Sequence, residues 1–320
     1  RALGIGRSWE IMLGLRKSVA SVKSVTSAVL LGFGSVAVAS SSSLTSQDDY
    51  GAYLYGQAQS QGAGTPNQVS AGGFIPLYQD SDSLWYADVQ LGLQLPDFSG
   101  YSSIINTDVA GGTLATSTRV GRRWLGGSGL WMFGLYAGYD TRQLKSGGSD
   151  QPNVTVTDRR TVNFQQIALG FEARHQRVKA SGYALIPIGN KEQTLNSVYG
   201  AGALDTYGLD LGWVVAPKLT ATLGTYYQHS NPESINGWGV SLGAQYALVD
   251  GLLLGATYSN DSAFNSRVMV QLTYRFGAGQ SGARTGSFNL ATPLEHRSIR
   301  VHDAAMGQQA IYYQRKILKD

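Results

Sequence analysis

The sequence predicts an all-β chain: a transmembrane antiparallel up-and-down β-barrel of about 12 strands, preceded by a signal peptide and followed by a short linker tail. Three observations predict it. An alternation of apolar and polar residues with a period of two recurs about a dozen times between residues 49 and 277. Charged residues are only 14% of the chain, with 41 Gly and twice as many Tyr (18) as Phe (9). A soluble domain usually carries about 25% charged residues. Connections between the alternating segments switch regularly between short and long, as the two rims of an outer-membrane barrel do.

The chain opens with a basic stretch. Arg1, Arg7, Arg16, Lys17 and Lys23 stand against Glu10, a net of +4 that equals the formal charge of the whole chain. The remaining residues are therefore close to neutral, and the pI near 9.1 does not point to nucleic acid as a partner. An apolar run at 25–38 (VTSAVLLGFGSVAV) follows and ends in Ala37-Val38-Ala39. A basic region, a short apolar core and an A-x-A site predict a signal peptide over 1–39, cut after Ala39. The run is too short for a membrane helix, which needs about 20 apolar residues. Residues 40–48 then form a short periplasmic lead.

From residue 49 to 277 the alternation predicts barrel strands. The first two segments are DYGAYLYGQAQ and NQVSAGGFIPLY. Trp85, Ala87, Val89, Leu91, Leu93 and Leu95 then alternate with Tyr86, Asp88, Gln90, Gly92 and Gln94. The segment 130–142 sends Trp131, Phe133, Leu135, Ala137 and Tyr139 outward, and Met132, Gly134, Tyr136, Gly138, Asp140 and Arg142 inward. Aromatics at both ends of such an apolar face match the two girdles at the membrane–water boundaries. Segments containing Leu169, Leu209, Leu223 and Leu242 repeat the scheme. The last, Ser266 to Gly277, presents Val268, Val270, Leu272, Tyr274 and Phe276 on one unbroken apolar face, the form of a barrel-closing strand that carries the insertion signal.

Short connections are expected near 79–83, 126–129, 175–177, 216–217 and 250–251. Longer ones are expected near 60–66, 96–110, 144–161, 189–201, 230–236 and 259–265. Short turns face the periplasm and long loops the exterior, so an even strand number leaves both barrel ends in the periplasm. The expected location is the outer membrane of a Gram-negative-type bacterium. The expected partners are outer-membrane lipid, the barrel-assembly machinery and periplasmic chaperones; no motif names a surface receptor.

No motif carries catalytic chemistry. Cys is absent, and His175, His229, His296 and His302 lack metal-ligand spacing. His229 and Ser230 are adjacent and so point to opposite faces of a strand, which is poor geometry for a base and its nucleophile. The expectation is no enzyme, no metal and no cofactor. Inward glycines at 134, 138, 170, 208, 212, 224, 239, 243 and 255 are expected to leave space in the lumen for a plug or threaded segment. The inward charges Asp88, Arg119, Arg123, Asp140, Arg142, Glu172, Arg174, Lys179, Asp210 and Arg275 form either ion pairs within the wall, or contacts to a segment inside it or a selectivity lining.

The segments STRVGRRWLGGSGLWMFGLYAGYDTR (117–142) and FQQIALGFEARHQRVKASGYALIPIG (164–189) resemble the barrel domain of inverse autotransporters, the intimin and invasin family. GWGVSLGAQYALVDGLLLGATYSN followed by VMVQLTYRFG resembles that family's closing strands. The family's R-P-A-N-G-like stretch is not evident; YGAGALDT (199–206) stands in its place. The post-barrel tail resembles the family's P-V-E-R-like linker, with Pro293, Leu294, Glu295 and Arg297 in matching order. The resemblance implies a twelve-stranded barrel whose C-terminal linker turns back through the lumen to the cell surface. Residues 49–277 would be the barrel, and 278–320 a flexible turn and linker. Two functions stay open: an adhesin-type translocator that displays its C-terminal segment, and a small porin or structural barrel with a periplasmic or plugging tail.

Overall fold

A computed structural model describes residues 51–98, 101–127, 129–150, 155–230, 235–276 and 289–306. The expected signal peptide with Ala37 and Ala39 lies outside the described residues, as do 277–288 and 307–320. Among the described residues, sixteen strands form in chain order: β1 (Tyr53–Gln59), β2 (Gln68–Gln79), β3 (Ser83–Gln94), β4 (Thr107–Ala110), β5 (Thr113–Leu125), β6 (Met132–Asp150), β7 (Thr161–His175), β8 (Val178–Ile188), β9 (Glu192–Thr194), β10 (Tyr199–Ala203), β11 (Asp205–Ala216), β12 (Leu219–Ser230), β13 (Ile235–Val249), β14 (Leu252–Asp261), β15 (Asn265–Phe276) and β16 (Val301–Ala305).

Twelve of these form a closed antiparallel ring: β1, β2, β3, β5, β6, β7, β8 and β11 through β15. The seam closes where β1 meets β15, from Leu54 opposite Phe276 to Gln59 opposite Gln271. Closure leaves the ring itself without an edge, a condition for β-structure in a bilayer. The alternation seen in the sequence becomes two surfaces. Leu91, Leu135, Leu209 and Leu242 stand more than half exposed on the outer face, where lipid covers them. Trp85, Trp124, Trp131 and Phe133 gather toward the short-turn rim, and Tyr139, Tyr207, Tyr227 and Trp238 toward the long-loop rim. The apolar face of β15 lies on the same belt, with Tyr274 exposed and edge-on to Phe276 at 4.7 Å.

The remaining strands build a cap on the long-loop rim. β6 continues beyond the lipid-spanning region to Asp150 because β4 docks on its extension, so part of the long loop expected at 144–161 is strand. β9, β10 and β16 form a separate three-stranded sheet with β10 in the middle. Its core joins Ile104, Val109, Leu144, Phe164, Leu195, Ile299 and Val301. The expected longer loop at 259–265 is instead a tight turn at 262–264. Asp261 explains it: one carboxylate oxygen accepts from the Ala263 and Phe264 backbone N–H groups (2.9 and 2.7 Å), and Asn265 takes the left-handed conformation (φ 56°) that ends the turn.

The inward glycines have a more specific use than open space. Tyr55, Tyr86, Tyr136, Tyr183 and Tyr226 lie directly across the ladder from Gly72, Gly121, Gly170, Gly208 and Gly239. A Cβ added at any of these five glycines would overlap the facing ring. Each glycine lets a neighbouring tyrosine lie over bare backbone, so the wall is thin beneath each ring. Arg119 fills the place over Gly138 in the same way, and Asp210 with Ser241 the place over Gly224. Only Gly212, Gly243 and Gly255 of the expected set keep room for a methyl group, with nothing nearer than 3.5 Å.

Gly208→Ala is therefore expected to displace Tyr183 and destabilise the barrel by about 1–3 kcal/mol. Gly243→Ala is expected to fold with the stability of the parent. Urea unfolding of the two refolded variants measures the contrast, and equal midpoints would refute the ring-seating role.

Candidate functional site: a segment inside the lumen

Residues 289–306 run inside the ring of strands from the short-turn rim to the cap. At the short-turn end Leu290, Ala291 and Leu294 pack with Tyr53, Phe74, Leu84, Tyr86 and Met132 from the wall. At the other end Ile299 and Val301 join the cap core. The segment is anchored by apolar side chains at both ends and carries its polar ones between. A path of about 3.3 Å per residue is long enough to pass an apolar band of about 25 Å.

The wall meets the segment's backbone with guanidinium groups. Arg123 Nη1 donates to the carbonyls of Leu290 (2.7 Å) and Thr292 (2.5 Å), while its Nε donates to Glu172 (2.9 Å). Arg174 donates to Thr292 Oγ1 (2.8 Å) and pairs with Glu172 at 3.3 Å. Toward the cap, Arg142 Nη1 donates to the carbonyls of Ile299 and Gly64, both at 2.6 Å. An extended segment has no partner strand inside a lumen, and its carbonyls would be costly to leave unmet. Arg123 and Arg142 meet three of them.

The segment's own charged residues answer the wall. Arg297 pairs with Asp210 (2.6 Å) and Glu295 (2.9 Å), and its guanidinium stacks 3.9 Å from the centre of the Tyr183 ring. Arg300 donates to Gln228 (2.9 Å), stands 3.9 Å from Asp261, and covers Tyr226 at 4.3 Å. Both rings are among those seated on glycines, so those glycines shape the face that receives the two arginines. His296 sits between Ser117, whose Oγ is 2.6 Å from Nδ1, and Asp88, whose Oδ1 is 3.1 Å from Nε2 without hydrogen-bond alignment. Asp88 also accepts from Tyr55 (2.7 Å). Arg119 and Asp140 form a two-point pair (2.6 and 3.0 Å) beside it, with Gln166 and Ser117 donating to the same carboxylate.

At the exit, β16 pairs with β10 from Val301 opposite Ala203 to Ala305 opposite Tyr199. The Asp303 carboxylate accepts from the backbone N–H groups of Asn106 (3.3 Å) and Thr107 (3.0 Å), tying the segment to a second loop. In that loop Asp97 accepts from the Ser103 and Val109 N–H groups, and burial pushes its carboxyl up to about 7.

Most of the expected site residues thus meet in one network. Asp88, Arg119, Arg123, Asp140, Arg142, Glu172, Arg174 and Asp210 line the path of the segment, and Leu294, Glu295 and Arg297 belong to the segment itself, with Pro293 beside them. Arg275 lies on β15 across the closing seam from Tyr55. Sequence reasoning passed over His296, Arg300 and Asp303, which the fold places among wall side chains distant in sequence. The cationic pair Arg297 and Arg300, three residues apart in a tail with a barrel behind it, was the available signal. His229 faces outward near the Asn236 amide while Ser230 is buried inward, as their adjacency requires.

No protein-family model and no curated protein matches the chain. Among solved structures, a chain from work on in-meso crystallization of membrane proteins is similar over 79% of this chain and 100% of that one, at 12% identity and a TM-score of 0.53. That likeness shows the fold, and the closed ring with its lipid-facing belt suits it to a bilayer. The chain is an outer-membrane β-barrel. Looser likenesses are to the outer membrane phospholipase A of Escherichia coli (12% identity, TM-score 0.36, 70% of this chain and 90% of that one) and the β domain of the Bordetella autotransporter BrkA (18%, 0.34, 70% and 97%). The first of these corrects an expectation. An outer-membrane barrel can carry an enzyme, as the phospholipase does, so the expectation of no enzyme is not kept.

Arg123→Ala withdraws two hydrogen bonds from the segment and leaves Glu172 to Arg174 alone. Breaking a buried pair of this kind costs about 3–5 kcal/mol. The urea midpoint of the refolded barrel should fall accordingly; an unchanged midpoint would show that the contact contributes nothing.

Proposed function

We propose that this barrel is the translocator and membrane anchor of an inverse autotransporter of the intimin and invasin type, which displays the segment following its last barrel strand at the cell surface as an adhesin does. One observation carries the reading: residues 289–306 enter the lumen among Leu84, Tyr86 and Met132 at the short-turn rim and leave it paired with β10 at the long-loop rim. Short turns mark the periplasmic side and long loops the exterior, so this path leads outward. The stretch at 199–206, which departs from the family's pattern, supplies β10 as the partner of the departing chain.

Delivery of such a chain requires periplasmic chaperones to keep its apolar strands apart and the barrel-assembly machinery to insert them, with outer-membrane lipid covering the belt. The segment lacks a continuous partner strand through the lumen. Side-chain contacts hold it there, so it can pass stepwise before the cap sheet closes on it.

An epitope tag fused after Asp320 tests the proposal. Antibody should label the tag on intact cells, with the barrel folded and in the outer membrane. Labelling only after permeabilisation would replace the proposal with a barrel whose tail is a plug held from the periplasmic side.

A further inference from the structure

We propose that the outer rim carries a site for the saccharide headgroup of an outer-leaflet glycolipid, outside the lumen. The site is a cavity of about 500 Å³ on the outside of the barrel, lined by Tyr207, Tyr227, His229, Asn236, Asp205 and Lys191. Its volume falls in the range of small-molecule sites, about 300–1,000 Å³.

The strand pattern places it. Asp205, Tyr207, Tyr227, His229 and Asn236 belong to the outward-facing sets of β11, β12 and β13, at the ends that meet the long loops. Tyr227 packs against Trp238, whose ring centre is 5.5 Å away and which is 71% exposed. These aromatics belong to the girdle, which marks headgroup level. The cavity opens directly above the acyl belt, where a lipid's polar head lies.

The roof is preformed. Ala203 N donates to the Lys191 carbonyl (2.9 Å), and the Lys191 ammonium reaches Asp205 at 3.7 Å, so the loop before β9 is tied down over the opening. Polar groups on the floor are also oriented. Asn236 Oδ1 receives the Tyr227 hydroxyl at 3.2 Å and contacts His229 Nδ1. With Nδ1 donating to that amide oxygen, the corresponding imidazole tautomer presents Nε2 as an acceptor.

The chemistry favours a sugar over a bare anionic headgroup. Lys191 is opposed by Asp205 and by Glu192, also in the lining, so the site holds no excess of cations for a lone phosphate. It combines tyrosine faces, on which the C–H face of a sugar ring packs, with carboxylate, imidazole and amide groups suited to hydroxyls. Lining of this mixed kind fits a polyol attached to a lipid anchored beside it.

Isothermal titration calorimetry of the full chain in detergent tests the proposal, with rough lipopolysaccharide as the ligand and two competitors. Its deacylated core oligosaccharide should compete, and phosphatidylglycerol, which is anionic without a sugar ring, should not. Asp205→Asn and His229→Gln should each weaken lipopolysaccharide binding at least tenfold while the heat-modifiable gel shift confirms a folded barrel. Equal competition by phosphatidylglycerol would overturn the proposal, since charge alone would then govern binding. Parental affinity in both variants, or failure of the oligosaccharide to compete, would overturn it equally.

Discussion

An extended backbone inside a barrel has carbonyls and no neighbouring strand, and the rest of this structure depends on how they are met. Arg123 and Arg142, one toward each end of the path, donate to Leu290, Thr292 and Ile299. Both guanidiniums are themselves fully buried, which is tolerable only because each has several acceptors. Removing the segment would leave Arg142 with Gly64 and Gln94, and Arg123 with Glu172 alone. The wall and the segment therefore need one another.

The same economy governs the inner surface. Tyrosines seated on glycines present flat faces instead of projecting into the path, and two of those faces receive Arg297 and Arg300. Carboxylates at Asp210 and Asp261 stand close enough to counter the charge. Apolar anchors at both ends then fix the segment's register, since a shift of one residue would turn Leu294 and Ile299 away from their clusters. The cap sheet continues this logic outside the membrane, where Asp303 binds backbone N–H groups of a second loop.

The wall was legible in the sequence because a bilayer imposes one rule on every strand. Leu91, Leu135 and Leu209 had to alternate with Gln90, Tyr136 and Asp210, and they do. The tight turn at 262–264 was not legible, because a single carboxylate at Asp261 closes it and loop length alone suggested otherwise. The tyrosine–glycine seats are hidden for a different reason: Tyr183 and Gly208 are 25 residues apart, and only the β8–β11 register makes them partners. His296 was visible as a residue and invisible as a site, since Asp88 and Ser117 reach it from strands far away in sequence.

The segment crosses the lumen from the short-turn rim and emerges paired with β10. The most direct measurement uses the absence of native cysteine. Ala203 and Val301 face each other across the β10–β16 ladder, both buried in the cap. Cross-strand neighbours of this kind lie within disulfide reach. The double variant Ala203→Cys, Val301→Cys, expressed in cells and exposed to a mild oxidant, should form an intramolecular disulfide seen by mass spectrometry as one linked peptide pair. Two free thiols that both alkylate in the folded, oxidant-treated barrel would contradict the account.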